Sequence, residues 1–158
     1  MSLRVRSGLI AGAGGFLLTL CIGVAVGLCG PLGGIAAGAV AGLLTIRGQA
    51  ALPRNQAARD GAVSGAIAGV LCLFGQLIGT LGSLSLVPAI LARNGGQLPF
   101  GQLPTSGDTV GQAAYWVSGL GTGVCFGLIG LALAAGAGAA VAYMMSPQQP
   151  PAPQPPAV

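Results

Sequence analysis

The sequence has no histidine, lysine or glutamate, and its only acids are Asp60 and Asp108. Those absences remove most general acid–base pairs, hydrolytic triads and metal sites, all of which draw on these residue types. The expectation is a chain that is not an enzyme and holds no metal or cofactor. Charged residues make up only 5% of the chain, against about a quarter in an ordinary soluble domain. With 53% hydrophobic residues and a mean hydropathy of +0.84, it cannot clothe a water-facing surface. A lipid bilayer is the expected solvent and first partner. The pI near 9.3 comes from six arginines without any lysine. They stand at or near segment ends, as topology signals do, and not along one face, so no nucleic-acid partner is expected. Cys21, Cys29, Cys72 and Cys125 form no CxxC pair and fall within apolar runs. They read as small membrane-buried side chains and not as ligands or disulfides.

Glycine is what the chain has in quantity, 30 of 158 residues. In GPLGGIAAGAVAG, Gly30, Gly34, Gly38 and Gly42 recur at every fourth residue, with Pro31 near the start. On a helix that spacing makes one stripe without side chains. Within a bilayer such a small-xxx-small stripe lets two backbones approach closely. Gly61, Gly65 and Gly69 form a second stripe, and Gly119, Gly123 and Gly127 a third, with Gly130, Ala134 and Gly138 continuing a small-residue row.

The apolar runs divide the chain into four spans, at about 7–29, 31–46, 61–82 and 112–145. Together, residues 1–145 form one membrane domain, and 146–158 a disordered tail of Pro, Gln and Ala. The first run follows Arg4 and Arg6, as a secretory leader would, but it is too long for a leader core and no A-x-A site follows. The second is short, about 22 Å as an α-helix. A re-entrant segment competes with a full crossing there. Asp60 stands where it would N-cap the third span. Residues 83–92, with Pro88 among them, read as a helix extension or an interfacial segment, and the sequence leaves this open. Tyr115, Trp116 and Tyr143 mark the membrane–water interfaces of the fourth span. Among the few polar residues inside the spans, Gln76 is the most costly to leave facing lipid. It is expected to turn inward to an interhelical hydrogen bond, or else to line a pore or touch a ligand.

Four crossings place Arg4, Arg6, Arg47, Arg54 and Arg59 on one side and Arg93 on the other. The positive-inside rule then puts both termini in the cytoplasm. The Cys29–Pro31 turn closes a hairpin of the first two spans, so the Gly30–Gly42 stripe is expected to pack within the chain against residues 7–28. Gly119, Gly123 and Gly127 are the better candidates to face outward. Ser7-Gly-Leu-Ile-Ala-Gly-Ala also resembles Asp60-Gly-Ala-Val-Ser-Gly-Ala, which fits two hairpins in parallel orientation, or simply two helices of similar composition.

The stretch Leu28-Cys-Gly-Pro-Leu-Gly-Gly precedes a Gly/Ala helix and an Arg-bearing loop, and then comes Arg59-Asp-Gly-Ala-Val-Ser-Gly-Ala-Ile-Ala-Gly. Over residues 7–82 this resembles small uncharacterised bacterial four-helix membrane proteins with Gly-Pro hairpin turns and DGAxxGAxAG third helices. The resemblance implies the bacterial inner membrane and no particular activity. The expected fold is therefore all-α and integral to the membrane, four helices as two hairpins packed through glycine stripes. The expected role is non-catalytic, structural or accessory, as a subunit of a membrane complex or a homo-oligomer. The alternative is a passive channel or pore built from glycine-rich helices.

Overall fold

The computed structural model describes residues 3–25, 30–48, 52–93 and 108–147, and these form four helices: α1 (Leu3–Ala25), α2 (Gly30–Arg47), α3 (Arg54–Arg93) and α4 (Thr109–Met145). The Cys29 end of the first turn, Phe100 with the rest of its loop, and the tail from 148 lie outside the described residues. Among the described residues, two helices, Arg54–Ile90 and Thr109–Met145, are long and apolar enough to cross a membrane, and Pro31–Arg47 is a shorter apolar helix.

The helix ends follow local chemistry. Pro53 stands just before α3, and its carbonyl accepts from the backbone N–H groups of Gln56 and Ala57, both at 2.9 Å. That turn starts the helix inside the expected polar connection, seven residues before Gly61. Asp60 is consequently not an N-cap. The acid that does cap is Asp108, whose carboxylate accepts from the Gly111 N–H at 2.9 Å at the start of α4. Residues 83–92 continue α3 as helix through Pro88. Proline brings no N–H to the carbonyl four residues back. The neighbouring Ser83 and Ser85 hydroxyls donate to carbonyls of the preceding turn, at 2.9 Å to Thr80 and 2.7 Å to Leu81.

Packing is by direct neighbours. α2 and α3 touch each other, and each also packs on α1 and on α4, so α1 and α4 occupy opposite corners. Consecutive helices run antiparallel: Ser7 meets Thr45 across α1 and α2, and Gly119 meets Leu84 across α3 and α4. Alternate helices run parallel. Gly8, Gly12 and Gly15 face Ser64, Ala68 and Cys72 in turn, and Gly34, Gly38 and Gly42 face Gly130, Ala134 and Gly138. Two hairpins in parallel orientation thus hold. An exact two-fold repeat does not, because α2 packs on α3 while α1 has no matching interface with α4. α2, about 27 Å long, limits the four-helix section. Beyond it α3 and α4, which share the largest interface, continue as a pair.

The distribution of side chains is the reverse of that in a water-soluble fold, which hides its large apolar groups. The largest fully buried side chains are Thr45, Asp60 and Ser64. The buried apolar cluster is Ala11, Ala37, Ala41, Ala68 and Cys72. Leucine, isoleucine, valine and phenylalanine point outward on every helix, as at Leu17, Ile35, Phe74 and Leu128.

Candidate functional site

Two constellations occupy the interior: a glycine seam and a polar knot at one end of it. The seam is built on α4. The glycines of α2 face it from one side, where a Cβ added to Gly34 or Gly42 would stand 2.5 Å from the carbonyl oxygen of Gly130 or Gly138, and one on Gly38 would strike the Ala134 carbonyl. The glycines of α3 meet the same row from the other side, Gly61 at Gly138 and Ala142, Gly65 at Ala134, and Gly69 at Leu131. The row Gly130–Ala134–Gly138 is therefore the common rail, and both stripes need it because a side chain on either would push backbone from backbone.

Two expectations are corrected here. The α2 stripe packs on α4 and not on α1; the helix face toward α1 carries Gly33 and Ala37 instead, whose neighbours are Thr19 and Gly15. Gly30 opens α2. Gly119, Gly123 and Gly127 do not face outward but lie under Leu84, Thr80 and Leu73 of α3. Their neighbours are side chains of α3, where those of Gly34, Gly38 and Gly42 are backbone of α4. Among the described residues, an added Cβ would meet nothing within 4 Å at Gly14, Gly82, Gly121 and Gly136.

The knot joins three helices. Thr45 of α2 is its hub: its hydroxyl lies 2.8 Å from that of Ser7 on α1 and donates at 2.9 Å to that of Ser64 on α3. Ser64 in turn donates to the Gly61 carbonyl at 3.1 Å. Donation from Ser7 to Thr45 to Ser64 to Gly61 is one arrangement that uses each hydroxyl proton once, and the carbonyls of Arg4 and Ala41, at 3.0 and 2.8 Å, are alternative acceptors for Ser7 and Thr45. One turn toward the helix ends, Asp60 is buried at 2% exposure. Arg4 Nε lies 3.0 Å from its Oδ2, yet that oxygen receives no hydrogen bond among the described residues. Distance makes this an ion pair while the N–H points past the acceptor, so the carboxylate is neutralised more than it is ligated. A second tie closes the same end, where Arg54 stands 5.4 Å from the centre of the Tyr143 ring and donates to the Ser146 carbonyl at 3.4 Å.

Arg4, Ser7 and Asp60 escaped the sequence as partners. Arg4 had a sufficient reading as a topology signal, and Asp60 as a cap. A trace of their partnership was present in the sequence, where a charge precedes a hydroxyl by about one helical turn on each helix, Arg4 before Ser7 and Asp60 before Ser64, with opposite signs. Gln76 is buried at 6% exposure as expected, but its amide makes no hydrogen bond among the described residues. The Thr80 hydroxyl donates to the backbone carbonyl of Gln76 at 2.8 Å, a bond within α3 that leaves the amide untouched. Thr19 makes the interhelical contact on the α1–α3 side, 3.4 Å from the Cys72 carbonyl. Among the described residues, no three His, Cys, Asp or Glu side chains gather to hold a metal ion.

No protein-family model, curated protein or solved structure matches the chain.

Proposed function

We propose that the chain is an integral membrane protein that crosses the bilayer four times and has a structural or accessory role, as a subunit of a membrane complex or as a homo-oligomer. The observation that carries this reading is the inverted packing. Thr45, Asp60 and Ser64 are buried while the large apolar side chains cover the outside. Lipid is the solvent in which that surface has no cost, and in which buried polar groups must find partners inside. The length of α2, about 27 Å, suits a hydrocarbon core of about 30 Å.

Five of the arginines sit at one end of the bundle. Arg4 and Arg6 begin α1, Arg47 ends α2, Arg54 and Arg59 begin α3, and the Ser7–Thr45 and Arg54–Ser146 contacts bring those ends together. Arg93 stands at the other end of α3. By the positive-inside rule the arginine-rich end and both termini are cytoplasmic, and the resemblance over residues 7–82 points to a bacterial inner membrane. The buried polar groups serve to fasten helices, each hydroxyl of the knot donating to another helix or to its own backbone. This use of the available chemistry favours a packed, non-catalytic bundle. The seam works against a channel along the bundle axis, since backbone meets backbone there.

The test is gentle extraction from native membranes followed by native mass spectrometry and liposome flux. A second protein in fixed stoichiometry, or a discrete multiple of the chain, is the expected result. A lone monomer without co-purifying protein contradicts the accessory role, and solute flux by the purified protein replaces it with a pore.

A further inference from the structure

We infer that the outer groove between α1 and α2 binds one chain of an anionic phospholipid from the arginine-bearing leaflet, with Arg6 and Arg47 holding its phosphate. This rests on the membrane reading above. The groove has a volume of about 250 Å³ and is lined by Ile10, Gly14 and Leu18 of α1 and Gly33, Ala36 and Val40 of α2. Every one of these is aliphatic or glycine. A Cβ on Gly14 would meet nothing within 4 Å, so the glycine leaves space open toward the outside.

Charge decides the occupant. Arg6 precedes Ile10 by four residues and Arg47 follows Val40 by seven, so each arginine continues a groove-lining stripe of its own helix. The two helices are antiparallel, and the Ser7–Thr45 contact of 2.8 Å sets those two ends level. Both arginines are exposed, and neither has an acidic partner among the described residues; the acid at this end, Asp60, is engaged by Arg4. An aliphatic groove whose two helices run on to exposed arginines, without an acidic partner among the described residues, is complementary to an acyl chain joined to a phosphate. Guanidinium suits that anion because its fork can donate two parallel bonds. Depth agrees as well. Arg6 to Leu18 spans about 18 Å of helix, a little more than the roughly 15 Å of one hydrocarbon leaflet.

The experiment uses the full chain in nanodiscs containing equal amounts of phosphatidylglycerol and phosphatidylcholine with the same acyl chains. Native mass spectrometry after release counts the lipid retained. A basic residue near the surface favours anionic lipid about fivefold, so two give a preference of about 30-fold. Arg6→Gln and Arg47→Gln should each lower it about fivefold, and together bring it near parity. Arg59→Gln, an exposed arginine away from the groove, should leave it unchanged. Gly14→Leu should fill the groove and reduce retention of both lipids. Equal retention of both lipids by the unaltered protein, or an undiminished preference in the double variant, overturns the inference while leaving the membrane reading intact. Failure of the protein to float with vesicles overturns both.

Discussion

Gly38→Ala is the sharpest perturbation of the seam. The added Cβ would collide with the Ala134 carbonyl oxygen, and its next neighbours are the Ala134 Cα and carbonyl carbon. All three are backbone, so no rotamer change relieves the overlap and α2 must move away from α4. Moving it also opens the contacts of Gly34 and Gly42, which stand one turn to either side on the same rail. Overpacking of a close-packed site costs about 3 kcal/mol at the upper end of its usual range. Alanine regains about 1 kcal/mol over glycine in helix propensity. The net loss is about 2 kcal/mol, or about 30-fold in the folded-to-unfolded ratio. Gly136→Ala on α4 is the matched control, because a Cβ there meets nothing within 4 Å, and it should gain up to about 1 kcal/mol. Reversible unfolding in mixed micelles, followed by helical circular dichroism, measures both. If the two variants are equally stable, backbone contact along the seam is not what holds α2 to α4.

Other perturbations address the polar interior, by the same unfolding assay. Thr45→Val removes the hub hydroxyl but leaves Ser7 and Ser64 the backbone carbonyls of Arg4 and Gly61, so the loss should be about 1 kcal/mol, with Thr45→Ser close to neutral. A loss above about 3 kcal/mol for Thr45→Val would mean that the knot does more than fasten three helices. Arg4→Gln strands the Asp60 carboxylate and should cost about 2 kcal/mol, below the range for a fully buried pair because Arg4 is 45% exposed. Adding Asp60→Asn should restore most of that loss; no restoration would show that the pair is not coupled. Gln76→Leu should be neutral or stabilising by about 1 kcal/mol, since the amide has no hydrogen bond among the described residues to lose. Clear destabilisation would reveal a partner for that amide.

The number and order of helices were legible because uncharged runs and arginines alternate along the chain, and the glycine stripes because four-residue spacing has only one meaning on a helix. What the stripes face was not. A glycine stripe specifies a close approach but carries no side chain to identify its partner, so the hairpin turn pointed Gly34, Gly38 and Gly42 to α1 and nothing in the stripe itself pointed to α4. The outcome turns on register across the bundle, which places Gly130, Ala134 and Gly138 beside them. The same limit hid the Arg4–Asp60 pair, 56 residues apart in sequence, and the knot around Thr45, whose members lie on three helices. Helix starts shifted for a local reason, because Pro53 and Asp108 supply the first turns of α3 and α4 ahead of the apolar runs.

The central claim is that the outside of this bundle faces lipid. Spin labels placed at Leu17, Phe74 and Leu128, which point outward from α1, α3 and α4, test it most directly in reconstituted vesicles. The account predicts strong collision with oxygen, which concentrates in hydrocarbon, and weak collision with a water-soluble nickel chelate at all three positions. Strong collision with the nickel chelate there would place these surfaces in water and contradict it.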